Sequence, residues 1–166
     1  MVLEQSSAKK QTSGSMTKIL VPHDGTEMSD KALNKALEFA KAFNSKVIIL
    51  NVIDDTFVPP GITMAFLSEK TSLEEARTKV IKYLKQGAES LLKARMEEAK
   101  SLGIDTRFVL AVGSPSVEIV NFANTEGIGL IVMGSRQLGT LDKIKGLGSV
   151  ARRVSENASC PVMIVH

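Results

Sequence analysis

Short apolar runs recur along the chain, separated by longer stretches of mixed polarity. The first of them, Lys18–Pro22, ends at a proline, and the second, residues 46–52, is rich in β-branched side chains. Runs that are apolar on both faces are typical of parallel strands buried between two layers. The pattern predicts five such strands, at Lys18–Pro22, 46–52, Thr106–Val112, 130–133 and Val162–Val165.

Between these runs, apolar residues recur with the period of an α-helix. A first helix is predicted over residues 29–43, with its buried face formed by Ala32, Leu33, Ala36, Leu37, Ala40 and Phe43. Asp24, Thr26 and Ser29 are the candidate N-caps of this helix. A second, long helix is predicted over residues 72–102, with a buried stripe formed by Ile81, Leu84, Ala88, Leu91 and Leu92.

Two shorter helices and one long loop complete the pattern. Ser114 and Pro115 combine a preferred cap with a residue favoured at the first helical position, and the helix they begin runs to about Thr125. The last helix covers about residues 148–156. Residues 54–71 fit neither period and contain two adjacent prolines, so they are predicted to form a functional flap or a linker.

The order of these elements predicts an α/β fold. Strands that alternate with helices form a parallel sheet with helices on both faces, and right-handed crossovers leave few possible topologies. We expect the strand order 3-2-1-4-5, in which the winding direction reverses between strands one and four. Ligands of such sheets bind beside that reversal, at the carboxyl ends of the strands. The site is therefore expected after Val21 and after Met133.

The composition is that of one soluble domain. The 166 residues are 43% apolar and 23% charged, and no apolar run reaches the 18 or so residues that a membrane span needs. Residues 1–16 are polar, lack the apolar core of a signal peptide, and are predicted to be a disordered extension before a domain at residues 17–166. A single cysteine, Cys160, excludes an internal disulfide, which favours the cytoplasm, and is predicted to be a buried structural thiol.

The charge adds little to this picture. The basic residues behind the net charge of +3 are scattered among carboxylates, and one Tyr with no Trp offers few surfaces on which bases stack, so nucleic acid is not expected to be the main partner. One Cys and two His do not make a metal cluster.

Candidate chemistry follows the first strand, in the segment Pro22-His23-Asp24-Gly25-Thr26. Asp24 would lie beside a ligand, where its carboxylate binds a ribose hydroxyl or a base amine, or holds a metal on phosphates. Alternatively, it caps the next helix. His23 either contacts the ligand or faces solvent.

A second candidate segment follows the fourth strand. It begins Gly134-Ser135-Arg136-Gln137-Leu138-Gly139 and continues, after eight residues, with Gly148-Ser149-Val150. Free amides at the start of a helix attract an anion, and glycines let the backbone approach it closely. Arg136, Lys143 and Lys145 add positive charge. The alternative is a flexible surface loop with a serine cap. The lysine of a P-loop is missing, so a P-loop hydrolase is not expected.

Three segments together resemble the universal stress protein family. They are KILVPHDGTEMSDKALNKALEFA near the start, Val112-Gly113-Ser114-Pro115 in the middle, and LIVMGSRQLGTLDKIKGLGSVARRVSENASCPVMIVH at the end. The resemblance covers residues 17–166.

The resemblance implies a Rossmann-like three-layer sandwich and a homodimer formed by antiparallel pairing of Val162–Val165. Many members bind ATP or AMP through the pattern G-x-x-G-x(9)-G-[ST], which Gly134 and the pair Gly148-Ser149 match here. Asp24 would then lie near the ribose or the phosphates that carry Mg²⁺. The other pocket residues that the resemblance implies are Pro22, His23, Gly25, Val52, Met133, Arg136 and Val150.

The sequence departs from this pattern at its second glycine, where Gln137 stands. Gly139 fills the role only if the loop is shifted. The Gln137 side chain either blocks the approach of a phosphate or donates a hydrogen bond to it.

The functional hypothesis is a dimeric regulatory module of the stress response that binds ATP or AMP and acts on an unidentified protein. Two alternatives stay open. Gln137 favours a dimerisation or scaffold module without a ligand. A slow ATP hydrolase would need positioned metal ligands and a charge clamp, and Asp24 with scattered basic residues is all that qualifies, so no catalytic residue is assigned.

Overall fold

Five strands alternate with four helices in the part of the chain that the computed structural model describes, residues 17–55, 73–135 and 147–166. The strands are β1 (Lys18–Pro22), β2 (Lys46–Ile53), β3 (Thr106–Val112), β4 (Leu130–Gly134) and β5 (Val162–Val165). The helices are α1 (Glu27–Phe43), α2 (Leu73–Ser101), α3 (Pro115–Glu126) and α4 (Ser149–Asn157). The predicted elements are confirmed, with bounds shifted by at most two residues.

Some of the predictions fall outside these ranges. They concern the N-terminal extension at residues 1–16, residues 56–71 of the long loop, and Arg136, Gln137, Gly139, Lys143 and Lys145.

The strands form one parallel sheet in the order β3-β2-β1-β4-β5, which confirms the predicted topology. The central strand β1 pairs with β2 on one side and β4 on the other, so that Leu20 lies beside both Ile48 and Ile131. Between β1 and β4 the direction of winding reverses. The carboxyl ends of these two strands therefore border an open crevice.

Alternate residues of each central strand enter two separate cores, because successive side chains of a strand point to opposite faces. Ile19 and Val21 of β1 pack in the core beneath α1 and α2, whereas Leu20 packs in the core beneath α3 and α4. All three are completely buried. This two-sided burial explains why the strands read as continuous apolar runs rather than as alternating patterns.

Thr26, one of the three candidate caps, is the N-cap of helix α1. Thr26 has extended backbone angles, and its Oγ1 accepts the N–H of Ser29 at 3.3 Å. The helix ends at Asn44, which adopts the left-handed conformation with φ 52°. The predicted buried face is confirmed except at Phe43, which is 54% exposed. Phe43 has the right phase but lies at the last residue of the helix, where its ring stacks on Phe39 at 6.0 Å instead of on the sheet.

The buried stripe predicted for α2 is only partly correct. Leu92 is fully buried, but the other four predicted residues are half-buried, and the fully buried apolar residues in the described part of α2 are Ala76, Val80, Leu92 and Ala99. The middle of α2 borders an open groove of about 740 Å³ that Tyr83, Leu84 and Leu91 help to line. The periodicity therefore identified the correct side of the helix but not where the helix leaves the sheet.

The edge strand β3 carries one charged residue, whereas the edge strand β5 carries none. Arg107 of β3 pairs with Glu126 at 2.9 Å and lies over the ring of Phe122. At the other edge, all four residues of β5 are apolar and half-buried.

Two further features concern the predictions from composition. Cys160 is half-buried against the α3–α4 core, and burial raises the pKa of its thiol, which disfavours the reactive thiolate. Among the helices of the described ranges, even the 29-residue α2 lacks the combination of length and apolarity that a membrane span requires.

Candidate functional site

A cavity of about 790 Å³ opens at the carboxyl ends of β1, β2 and β4. The starts of three helices, α1, α3 and α4, converge on it. Its strand-end wall is formed by Pro22, His23, Asp24, Leu50, Asn51, Val52, Asp54, Met133 and Gly134. Its helix-end wall is formed by Thr26, Glu27, Met28, Ser29, Lys31, Pro115, Ile119, Gly148, Ser149, Val150 and Ala151.

The structure brings most of the predicted site residues together in this one cavity. Those that line it are Pro22, His23, Asp24, Val52, Met133, Gly134, Gly148, Ser149 and Val150. Gly25 is absent from the lining, although its neighbours on both sides contribute. Arg136, Gln137 and Gly139 lie outside the described residues.

Gly25 shapes the turn that presents Asp24. Its φ of +84° is a conformation that other residues rarely adopt, and a Cβ added there would lie 3.3 Å from Cδ2 of Leu91 on α2. The glycine therefore permits both the turn and the close packing of α2 against it.

His23 does not face solvent, which excludes one of its two predicted positions. Its side chain is completely buried, so only its backbone is exposed to the cavity. The backbone is anchored to β2, since its N–H donates to Leu50 at 2.8 Å and its carbonyl accepts from Asn51 Nδ2 at 2.8 Å. The imidazole accepts the N–H of Gly25 at Nδ1, 3.2 Å away, and Nε2 lies 3.0 Å from Asp30 Oδ1.

Asp30 is held by two partners. Arg95 of α2 donates to both of its carboxylate oxygens, at 2.7 and 2.9 Å. Burial by itself would raise the pKa of Asp30, but the hydrogen bonds from Arg95 and His23, together with the positive charge of Arg95, outweigh burial and lower it. The same contact raises the pKa of Arg95. Asp30 is therefore ionised under ordinary conditions and joins α1 to α2.

The carboxylate of Asp24 is oriented by Thr26. Its Oδ1 accepts the backbone N–H of Thr26 at 3.1 Å and the hydroxyl at 2.6 Å. Thr26, not Asp24, is the N-cap of α1. Asp24 itself is exposed and lines the cavity, so the alternative in which it caps α1 is wrong, and its contact with a ligand stays a prediction.

The start of α4 lies at the cavity wall, and its N-cap is a glycine. Gly148 is the N-cap residue, and no side-chain cap closes the first turn in the described part of the chain. Ser149 is exposed at the first helical position, so the alternative in which a serine caps this helix is wrong. The backbone amides of this first turn lie at the cavity wall, where the positive end of a helix favours an anion.

Gly134 is required for a reason that the sequence did not reveal. A Cβ there would lie 2.6 Å from the carbonyl oxygen of Met28, at the start of α1. The glycine permits close packing between the end of β4 and α1, whereas the sequence suggested that it admits a ligand.

The described part of the cavity wall is acidic. It carries Asp24, Glu27 and Asp54 against one lysine, Lys31, which itself pairs with Glu27 at 3.0 Å. No group of three or more potential metal ligands occurs among the residues described. Among the described residues of the wall, the helix start at Gly148 supplies positive potential.

Comparison with known proteins identifies the family. The sequence model of the universal stress protein family matches residues 16–166. The chain belongs to the universal stress protein family. Universal stress protein YxiE of Bacillus subtilis is 36% identical over 150 residues, which cover 90% of this chain and 98% of YxiE.

Solved structures of universal stress proteins share the fold. The structure of MJ0577, a universal stress protein of Methanocaldococcus jannaschii, has a TM-score of 0.73 at 30% identity, covering 91% of this chain and 96% of that one. A universal stress protein solved in complex with cAMP has a TM-score of 0.65 at 25% identity, covering 92% and 98%. The Rossmann-like fold expected from the family resemblance is thus confirmed.

Two groups of residues in this universal stress protein were not found from the sequence. Asn51 is a polar residue within an otherwise apolar strand, a signal that could have identified it. Asp30 and Arg95 are 65 positions apart on two amphipathic helices and gave no such signal.

Proposed function

We propose that this chain binds a nucleotide, ATP or AMP, in the 790 Å³ cavity and acts as a dimeric regulatory module. The observation that carries the proposal is the start of α4, where a glycine N-cap contributes no side chain to cover the first amides. This helix start faces a cavity at the reversal point of the sheet. A similar structure that was solved with cAMP supports the choice of ligand class.

The phosphates would lie against the amides at Gly148–Val150, where the Ser149 hydroxyl adds a donor. Asp24 would contact the ribose or the metal-bound phosphates. Apolar side chains at Val52 and Met133 would pack on the base, because a thioether and a β-branched side chain both suit an aromatic face. His23 would take part only through its backbone, since its ring is buried.

The charge of the wall bears on the form of the nucleotide. Asp24, Glu27 and Asp54 would repel a bare triphosphate, so ATP would enter with Mg²⁺, which neutralises part of its charge. Asp24 fits this role as an exposed carboxylate, held in place by Thr26 at the cavity. AMP carries less charge and would need no metal.

The regulatory module would be a homodimer that pairs through β5. This strand lies at the edge of the sheet, and Val162, Met163, Ile164 and Val165 are apolar and half-buried. Apolar edge strands tend to pair with another strand.

Calorimetry with AMP and with ATP plus Mg²⁺ tests the ligand. We expect binding by the wild type and its loss in Gly148→Val, because a branched side chain at the N-cap would cover the amides that face the phosphate. The backbone angles of Gly148, φ −56° and ψ 151°, accommodate valine, so the variant should fold. Asn157→Val, at the exposed far end of α4, is the matched control. No binding at millimolar nucleotide would leave a dimerisation module without a ligand.

A further inference from the structure

Three side chains connect α2 to the turn between β1 and α1. Arg95 binds both carboxylate oxygens of Asp30, and Asp30 Oδ1 in turn lies 3.0 Å from His23 Nε2. We call Arg95, Asp30 and His23 the Arg95 relay. It joins Arg95 of α2 to Asp30 of α1, 65 positions earlier, and through Asp30 to the turn that precedes α1.

The relay ends on the backbone of the turn. Gly25 donates its N–H to Nδ1 of His23, so that nitrogen carries no proton and Nε2 carries it. Only this tautomer can donate to Asp30 and accept from Gly25 at the same time. The carboxylate of Asp30 therefore selects the form of the imidazole that holds Gly25 in place.

Helix α2 also touches the turn directly. Leu91 lies one helical turn before Arg95, and its Cδ2 would be 3.3 Å from a Cβ on Gly25. A glycine with a φ of +84° has more conformational freedom than any other residue, so the position of the turn depends on such external contacts.

Asp24 lies between His23, which belongs to the relay, and Gly25, which His23 holds in place. Its own carboxylate is oriented by Thr26, but the backbone that carries it is fixed by His23 and Gly25. We propose that Arg95, Asp30 and His23 are positioning residues, through which α2 sets the place of Asp24 in the nucleotide site. This inference rests on the proposed function, because that function assigns Asp24 to the ligand.

Affinity for AMP provides the first test. Asp30→Asn and Arg95→Met should each raise the Kd measured by calorimetry about fivefold to tenfold, because the turn loses its fixed position. Arg95→Lys keeps the charge but not the paired donors, and its Kd should lie between those of the wild type and Arg95→Met. Circular dichroism establishes that each variant is folded, and the 32% exposed side chain of Arg95 makes this the expected result.

The matched control removes a similar ion pair at the opposite end of the sheet. Arg107→Met breaks the 2.9 Å contact with Glu126 near the amino end of β3 and should leave the Kd unchanged. Wild-type affinity in folded Asp30→Asn and Arg95→Met would overturn the relay and leave the proposed function intact.

A measurement without nucleotide separates the two hypotheses. In the wild type, nitrogen chemical shifts should show His23 protonated at Nε2, and the amide of Gly25 should be protected from hydrogen exchange. Asp30→Asn should change the shifts and speed the exchange. A wild type that fails to bind AMP contradicts the proposed function alone, while unchanged shifts and exchange in Asp30→Asn contradict the relay.

Discussion

At the scale of single residues, two glycines of the site allow helices to pack closely against the residues at the ends of the strands. Gly134 leaves room for the carbonyl of Met28, and Gly25 leaves room for Leu91. Both contacts are made by the protein with itself. A glycine beside a cavity is therefore not by itself a sign that a ligand approaches the backbone there.

Replacing Gly134 with alanine tests this explanation. The added Cβ would lie 2.6 Å from backbone atoms that cannot move like a side chain, so Gly134→Ala should lower the free energy of unfolding by about 1–3 kcal/mol. Gly87→Ala is the control, since no atom lies within 4 Å of its added Cβ and alanine favours the middle of a helix. Urea titration of both variants measures the difference. Wild-type stability in Gly134→Ala would show that β4 and α1 separate without cost.

The residues after β1 show what the sequence could and could not predict. The apolar run that stops at Pro22 located Asp24 correctly at the cavity, because the end of a buried strand can be read from polarity alone. The burial of His23 could not be read in this way. It depends on Asp30 and Arg95, whose approach is determined by the packing of two helices.

At the scale of elements, the contact between Asp30 and Arg95 joins α1 to α2 across their half-exposed faces. Both side chains are about one third exposed, and the bidentate geometry distinguishes this contact from the single-point ion pairs elsewhere on these helices. The periodicity of α2 predicted its buried side, yet the half-buried stretch at Leu84 and Ala88 shows that it does not predict how closely a helix follows the sheet.

The Asp30 contact should make stability depend on acid pH. Because folding lowers the pKa of Asp30 below its usual 3.8, its contribution is complete above that value and is lost as the pH falls through the lower pKa of the folded state. At pH 7, Asp30→Asn should cost about 2 kcal/mol of unfolding free energy, and the difference from the wild type should shrink as the pH falls below 3.8.

Urea titrations at pH 7, 5 and 3 measure this dependence. Asp105→Asn is the control, because Asp105 pairs with Lys46 at 3.0 Å on the exposed surface, where such pairs contribute little. A cost for Asp30→Asn that stays constant from pH 7 to pH 3 would contradict an ionic origin.

At the scale of the whole molecule, the strand order was predictable because right-handed crossovers and short connections permit few arrangements of five parallel strands. The position of the cavity followed from that order.

The dimer stays a prediction, and the hydrogen bonds of β5 provide its test. Ile131 and Ser135 donate to the carbonyls of Pro161 and Val165, so the backbone groups of these two acceptors point toward β4. Because the direction alternates along a strand, the N–H and carbonyl of Ile164 point away from β4.

Ile164→Pro should therefore remove an outward N–H without breaking the ladder with β4. We expect this variant to be monomeric by light scattering, while Ile164→Ala, which loses the same side chain but keeps the N–H, stays a dimer. Two monomeric variants would indicate association by side chains alone, and two dimeric variants would exclude pairing through this edge.

The charge on β3 has a consequence for assembly. Arg107 on that strand is paired with Glu126, so a second chain that docked there would have to bury or break an ion pair. If copies join through β5, each pair presents only its two β3 edges to further copies. Assembly would stop at the dimer, in which the described strands form one sheet of ten, and would not continue into a fibre.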